Sequence, residues 1–101
     1  MTPEGRIKAK VKKRLKAEFP KLWQFMPVQT GYGAPALDFI FCVGGLFVSI
    51  ETKTAGGDYT DRQKTIRDAI LAADGLVYLV DGDESLEYAV EKIKMAVTGR
   101  R

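Results

Sequence analysis

The segment LDFIFCVGGLFVSIETK, residues 37–53, decides the fold, because two apolar runs flank a pair of glycines. Such runs are typical of β-strands, and two glycines between them are a strong signal for a hairpin. If Gly44 and Gly45 form the turn, Val43 lies opposite Leu46, and each step away from the turn pairs the next residue on either side. The segment therefore predicts an antiparallel hairpin in this register.

The register divides the side chains of the hairpin between two faces, because side chains alternate along a strand. The face that we expect to form the core carries Leu37, Phe39, Phe41, Val43, Leu46, Val48, Ile50 and Thr52. The other face brings Asp38 directly opposite Glu51, with Cβ atoms about 5 Å apart. Lys53 follows on the same face, two residues beyond Glu51.

Two facing carboxylates repel each other, which destabilises a sheet and raises the pKa of one of them unless a cation compensates. A divalent metal that bridges both, at the spacing of about 2.1 Å per oxygen that Mg²⁺ favours, is such a cation. Lys53 could then orient an attacking water or neutralise charge that develops on a phosphate. A metal and a lysine at a strand end indicate phosphodiester hydrolysis. The plain alternative is an exposed Glu51–Lys53 ion pair, and a bulge at the glycines would undo the register.

A helix and a short strand are predicted before the hairpin. Thr2 is a candidate N-cap with Pro3 at the first helical position, and Pro20 ends this helix. Its apolar stripe consists of Ile7, Val11 and Leu15. Residues 22–26 are a candidate edge strand.

A helix, a strand and a final helix are predicted after the hairpin. Thr60 caps the second helix, which ends at Gly75, and residues 76–80 form an apolar run typical of a strand covered on both faces. The final helix extends from about residue 84 to residue 97. The apolar stripes of these two helices consist of Ile66, Ala69, Ile70 and Ala73, and of Leu86, Val90, Ile93 and Val97. A crossover helix makes the flanking strands parallel, so we expect one α/β domain over residues 1–101, with a mixed central β-sheet flanked by helices.

The composition excludes several kinds of catalytic centre. The chain has no histidine, so Ser-His-Asp, Cys-His and imidazole-dependent zinc sites are excluded. Its single cysteine, Cys42, forms no internal disulfide, and we expect a buried thiol in a reducing interior. Because the apolar runs are too short to span a bilayer and no secretory signal is visible, a cytoplasmic protein without a membrane partner is expected.

Positive charge is concentrated at the beginning of the chain. Residues 1–21 hold eight basic side chains against two acidic ones, whereas the whole chain carries a net charge of only +3. A basic segment beside a mildly acidic body indicates contact with a polyanion, although a solvated helix face is an alternative. We expect DNA phosphates to contact Lys8, Lys12, Lys13 and Lys16.

The combined pattern resembles the VRR-NUC family, small members of the PD-(D/E)xK nuclease superfamily. The residues that carry the resemblance are Gly33–Asp38, Phe47–Lys53, Gln63 and Asp74–Val80, and the similarity covers roughly residues 4–82. It implies a restriction-endonuclease-like core, and a catalytic set of Asp38, Glu51, Lys53 and Gln63.

The resemblance also assigns roles to these residues. Asp38 and Glu51 are implied to bind Mg²⁺ or Mn²⁺, with the carbonyl of Thr52 as a further candidate ligand. Lys53 is implied as the catalytic lysine, and Gln63 as the residue that orients this lysine or the scissile phosphate. Glu4 is similar to an acid that many superfamily members carry near the metal, although helix capping also explains an acid in a first turn.

Minimal, stand-alone members of this family resemble phage enzymes that resolve four-way junctions. The implied function is therefore that of a metal-dependent, structure-specific DNA endonuclease, a Holliday junction resolvase that acts on branched DNA in a bacterial host or phage-infected cell. Two cuts need two active sites, so a homodimer is expected, with Trp23, Phe25 and Phe47 as a candidate interface. Tryptophan in so short a chain is nevertheless expected to be core. The alternatives are a flap, nicking or duplex endonuclease, a non-catalytic nucleic-acid-binding module, and an assembly factor.

Overall fold

A computed structural model describes residues 1–28 and 36–99, and within them the chain forms three helices and four strands. In chain order these are α1 (Pro3–Glu18), β1 (Trp23–Phe25), β2 (Phe39–Val43), β3 (Leu46–Thr52), α2 (Asp61–Ala72), β4 (Leu76–Val80) and α3 (Asp83–Gly99). The strands form one sheet in the order β1-β2-β3-β4, in which only β4 is paired in parallel. The predicted mixed sheet flanked by helices is confirmed. The part of the family motif at residues 33–35 lies outside the described residues.

The hairpin of β2 and β3 has the predicted register. Pairing continues without a bulge from Val43 opposite Leu46 to Phe39 opposite Ile50. The turn glycines have φ angles of 57° and 83°, the left-handed region that a type I′ turn requires at both central positions. A Cβ atom on Gly44 would also lie 2.9 Å from Cγ1 of Val97 in α3, so both the backbone conformation and the available space favour glycine at this position.

The core lies between one face of the sheet and the helices α1 and α3. The predicted apolar face is buried there, and Phe39 and Phe41 stack with ring centroids 5.4 Å apart. The helices contribute Val11, Leu15, Leu86, Ala89, Val90 and Ile93. Burial of each large side chain contributes about 1.5–3 kcal/mol, so this layer carries most of the stability of the fold.

The strand β4 and the helix α2 are less buried than the sequence predicts. We expected both faces of residues 76–80 to be covered, and both α2 and α3 contact β4, but only Val80 is fully buried. The reason is that β4 lies at an edge of the sheet, and α2, which lies against it, has no fully buried residue. The helix ends at Ala72, with Ala73 as its C-cap. Asp74 follows with a φ of 65°, and the amide of Gly75 donates to the carbonyl of Ile70 at 2.9 Å.

The second face of the sheet is partly open around β1. Trp23 pairs with Cys42, which in turn pairs with Phe47, and all three side chains are exposed. The predictions that Trp23 belongs to the core and that Cys42 is a buried thiol are therefore wrong. The helix α2 packs against β4 and borders Phe47. Because β1 lies at the opposite edge of the sheet from β4, α2 leaves Trp23 and Cys42 uncovered. Among residues 1–28 and 36–99, every helix is too short or too polar to cross a membrane.

Candidate active site

The two acids that the hairpin register pairs meet at the end of β2 and β3. The backbone N–H of Asp38 donates to Oε1 of Glu51 at 3.1 Å. Thr52 donates twice to Oδ2 of Asp38, from its backbone N–H at 2.9 Å and from its hydroxyl at 2.7 Å. Asp38 is 8 % exposed and Glu51 is 3 % exposed. The register thus places two buried carboxylates side by side, each held by neutral donors.

Gln63 connects the beginning of α2 to this pair. Its amide nitrogen donates to Oε2 of Glu51 at 2.9 Å, and its amide oxygen accepts from the backbone N–H of Thr60 at 2.9 Å. The hydroxyl of Thr60 accepts from the backbone N–H of Gln63 at 3.2 Å, which completes a capping box. The same side chain therefore caps the helix and fixes the position of Glu51. Its predicted contact with the lysine or the scissile phosphate stays a prediction.

Two lysines lie beside the carboxylates. The ammonium of Lys53 is 3.9 Å from Oε2 of Glu51, and that of Lys8 is 3.6 Å from Oδ1 of Asp38. The backbone N–H of Lys53 donates to the carbonyl of Val80 at 3.0 Å, and this hydrogen bond fixes the backbone of Lys53 against β4. Lys8 was expected to contact DNA only. Its position one helical turn after Glu4, a candidate metal ligand, is the signal that could have placed it here.

The electrostatics of the pair are unfavourable for two negative charges. The pKa of Glu51 is raised from 4.5 to about 7, first because burial removes its hydration and second because the charge of Asp38 repels it. The hydrogen bond from the backbone of Asp38 and the charge of Lys53 act in the opposite direction, and they only partly compensate. The neighbouring groups therefore compensate the charge of Glu51 only in part, and a bound cation would favour its ionised form.

The acids open into a cavity of about 280 Å³ between α1, the sheet and α2. Its wall consists of Glu4, Ala36, Asp38, Glu51, Lys53, Thr60, Arg62, Gln63 and Ile66. In the part of the chain that the structure describes, no three acidic or sulfur ligands lie close enough to hold one metal ion. Glu4 thus borders the cavity but does not join Asp38 and Glu51 in one cluster. The contacts of Thr52 in this site are the hydrogen bonds that its hydroxyl and amide donate to Asp38. Sequence reasoning missed Arg62, whose place directly before Gln63 was the available signal.

The donor chemistry fits a hard divalent cation. Mg²⁺ is commonly held by one or two carboxylates, with waters and substrate phosphates completing its oxygen ligands. Asp38 and Glu51 are such a pair. Their mutual repulsion and low exposure favour neutralisation by a cation over two free charges.

The basic side chains of α1 fall into groups with different partners. Lys10 and Arg14 pair with acids of α3, at 3.1 Å to Asp83 and 2.8 Å to Glu87, and therefore fasten the two helices together. The ammonium of Lys16 donates to the carbonyl of Pro20 at 2.7 Å. With Lys12 and Lys13, which have no ion-pair partner within the described ranges, Lys16 lines a shallow groove of about 500 Å³.

The fold and the site together define a class of protein, the small mixed-sheet α/β domain with facing carboxylates and a lysine at the end of a central hairpin. A solved structure described as a VRR_NUC domain superimposes on this chain with a TM-score of 0.76 and 17 % sequence identity, and the match covers 90 % of this chain and 97 % of that one. The chain therefore has the VRR_NUC fold, and the predicted resemblance is confirmed at the level of the fold. No family model and no curated protein matches the sequence.

Proposed function

We propose that the chain is a VRR-NUC nuclease that hydrolyses phosphodiester bonds of branched DNA with the help of Mg²⁺ or Mn²⁺. The observation that carries this proposal is the buried Asp38–Glu51 pair with Lys53 beside it, opening into a cavity within a VRR_NUC fold. Buried facing carboxylates lower stability, so a purely structural domain has no physical reason to keep them.

Asp38 and Glu51 are the residues that would hold the metal. A divalent ion in such a site polarises the phosphate and lowers the pKa of a bound water. Thr52 and Gln63 act as positioning residues, because their hydrogen bonds fix one oxygen of each carboxylate. Because both donors are neutral, these bonds leave the carboxylates with the negative charge that attracts the cation.

Lys53 is the catalytic lysine of the proposal. Its side chain is only 20 % exposed, and its ammonium lies on the cavity side of Glu51. In this poorly hydrated position a positive charge stabilises a developing negative phosphate more strongly than it would in water. Lys53 also repels protons from an adjacent nucleophilic water and so favours the hydroxide form.

DNA is the favoured substrate because α1, whose Glu4 borders the cavity, also carries a groove lined by cations. Lys12, Lys13 and Lys16 line one surface, and Lys8 lies one turn closer to the carboxylates. Helical residues four positions apart are separated by about 6 Å along the axis, which is comparable to the spacing of successive phosphates. Such contacts carry little sequence information, so recognition by backbone shape is favoured.

The open face of the sheet supports a homodimer. Trp23, Phe25 and Phe47 are 59 %, 50 % and 45 % exposed, and an apolar groove of about 450 Å³ continues along α2 beside Phe47. Exposed apolar surface of this kind marks interfaces, and aromatic residues are enriched in them. A two-fold symmetric dimer on this face would present two active sites to the two strands of a junction.

The dimer is tested by light scattering of the wild type and of Phe47→Asp. We expect a dimer for the wild type and a monomer for the variant. Met95→Asp is the matched control, because Met95 is an exposed apolar residue of α3 on the other side of the sheet. If Phe47→Asp has the same mass as the wild type, this interface is wrong.

The nuclease is tested with labelled four-way junction, flap, nicked and duplex DNA, each incubated with Mg²⁺, Mn²⁺ or EDTA. Lys53→Ala is the inactive variant, and Lys92→Ala on α3 controls for the loss of one lysine. Paired cuts near the branch that need metal and Lys53 would establish the junction resolvase. Cutting of flaps or duplex would retain the nuclease and reject the junction. Binding without cutting, with either metal, would reject the nuclease in favour of a non-catalytic binding module.

A further inference from the structure

Asp38 uses its two carboxylate oxygens differently. Oδ2 accepts both hydrogen bonds from Thr52, at 2.9 and 2.7 Å. Oδ1 faces the ammonium of Lys8 at 3.6 Å, beyond hydrogen-bond distance. Neutral donors thus fix the position of the carboxylate through one oxygen, while a mobile cation compensates its charge at the other.

Each of the two carboxylates has one lysine ammonium beside it. Asp38 and Glu51 bring two negative charges, and Lys8 and Lys53 bring two positive charges at 3.6 and 3.9 Å. A divalent cation at the carboxylates would leave this group with an excess of two positive charges. At least one ammonium is then repelled from the site, and an anion is attracted to it.

Lys8 is the cation better placed to move. Its side chain is 33 % exposed, against 20 % for Lys53, and it lies on a helix surface, whereas Lys53 directly follows the buried strand β3. Lys12 follows one turn later on the same side of α1 and lines the basic groove. The flexible four-carbon stem of Lys8 therefore reaches either Asp38 or the path of a DNA strand along this helix.

We propose that Lys8 is an exchangeable counter-ion, which neutralises Asp38 in the metal-free protein, leaves when a divalent cation binds, and then contacts a DNA phosphate. The inference rests on the proposed function, since it takes metal and DNA as the ligands of this site. The metal ion must displace the ammonium of Lys8 from Asp38 in order to bind. The displaced ammonium then contacts a DNA phosphate. The two ligands therefore bind cooperatively, and Lys8 carries part of the coupling.

The first test is calorimetric titration of Mn²⁺ into the DNA-free protein, which does not depend on activity. Removing the competing charge in Lys8→Met is expected to raise the affinity for Mn²⁺ about tenfold, within the usual range of coupling between sites. Lys10→Met is the matched control, because Lys10 lies on the same helix as Lys8 and forms an ion pair with Asp83 of α3, away from the carboxylates. A merely structural role of Lys8 predicts the opposite sign, namely weaker binding. Lys8→Gln, which also removes the charge but keeps a polar side chain, should give the same result as Lys8→Met. Circular dichroism of each variant shows whether it is folded.

The second test measures the affinity for a labelled four-way junction by fluorescence anisotropy, with every protein in a Lys53→Ala background that prevents cleavage. In EDTA, Lys8→Met should bind as tightly as its parent, because Lys8 is engaged with Asp38. With Mn²⁺ the parent should bind more tightly, and Lys8→Met should lose most of this gain. Lys12→Met should weaken binding by the same factor in both conditions.

The outcomes separate the inference from the function on which it rests. If the wild type binds no Mn²⁺, the metal site of the proposed function is wrong, and the exchange falls with it. If the wild type binds Mn²⁺ but Lys8→Met binds it equally or more weakly, the exchange is wrong and the nuclease proposal stands. Equal effects of Lys8→Met on DNA binding in EDTA and in Mn²⁺ would likewise overturn the exchange.

Discussion

Replacing Glu51 with glutamine should stabilise the metal-free protein at alkaline pH while it abolishes metal binding and cleavage. The pKa of Glu51 is raised from 4.5 to about 7 by burial and by the charge of Asp38. Between these pH values the native state holds a proton that the unfolded chain has released, so the free energy of unfolding decreases as the pH rises. The stabilisation from this proton is fully present below pH 4.5 and is lost as the pH rises through about 7.

The magnitude follows from the two pKa values. At about 1.4 kcal/mol for each pH unit, the rise from 4.5 to about 7 corresponds to about 3 kcal/mol of lost stability. Glutamine keeps the acceptor for the N–H of Asp38, but it places a second amide nitrogen opposite Gln63. Losing that hydrogen bond costs about 1 kcal/mol. The net stabilisation at pH 8.5 is therefore about 2 kcal/mol, whereas at pH 5 the variant and the wild type are about equally stable.

The effect should be visible because few other groups titrate in this window. The chain has no histidine. Hydrogen bonds from Ser85 and Arg14 hold the pKa values of Asp81 and Glu87 below their usual range, so the stability they contribute is lost only in acid. Burial raises the pKa of Tyr59 above its usual value of 10, which places its titration beyond the alkaline end of the window.

Urea denaturation followed by circular dichroism, in EDTA at pH 5, 7 and 8.5, measures these differences. The wild type should lose stability across the series, and Glu51→Gln should not. Glu84→Gln, an exposed glutamate at the beginning of α3, is the matched control and should follow the wild type. Parallel pH profiles for the wild type and Glu51→Gln would refute the assignment of a destabilising charge to Glu51.

Three further substitutions test how the site is held. Gly57→Val should slow cleavage at least tenfold without unfolding the protein, because a Cβ atom there would lie 2.8 Å from Cβ of Lys53; junction cleavage rates and circular dichroism check this. Thr52→Val should lower the free energy of unfolding by about 1 kcal/mol and weaken Mn²⁺ binding in calorimetry, because it removes the hydroxyl donor to Asp38. Thr60→Ala should lower the free energy of unfolding in urea by about 1 kcal/mol through loss of the cap of α2, and Thr60→Ser should restore it.

The central hairpin and its acids could be predicted because their information is local. Two adjacent glycines determine the turn, and the period of two then determines which residues share a face. The facing of Asp38 and Glu51 follows from these two facts alone. The loop between Thr52 and α2 likewise begins at a predicted strand end and finishes at a recognisable N-cap, Thr60.

The exposure of Trp23 and Cys42 could not be predicted, because it depends on how far α2 extends across the sheet. The apolar stripe of a helix shows that the helix packs against something, but it does not show which strands lie beneath it. The position of β4 at the sheet edge is a similar case. A continuous apolar run is typical of a strand covered on both faces, and only the strand order shows that one neighbour is missing.

The charges of α1 illustrate the same division between local and distant information. Sequence alone shows eight basic side chains in residues 1–21 and assigns them together to a polyanion. The structure separates them, because Lys10 and Arg14 find acidic partners 73 residues away, on α3. Lys8 finds Asp38 instead. Which of several equivalent lysines meets an acid is decided by tertiary packing, which the local pattern does not contain.

The candidate active site combines two kinds of stabilisation that have different consequences. Thr52, Gln63 and the amide of Asp38 are neutral donors at 2.7–3.1 Å, and they fix where the carboxylates lie. The lysines stand farther away and balance charge without fixing geometry. Because position and charge are supplied by different groups, a cation can be exchanged without moving the carboxylates. The arrangement thus keeps two like charges at short distance in a small domain, which explains why the charge of Glu51 is destabilising and yet its carboxylate is held by two hydrogen bonds.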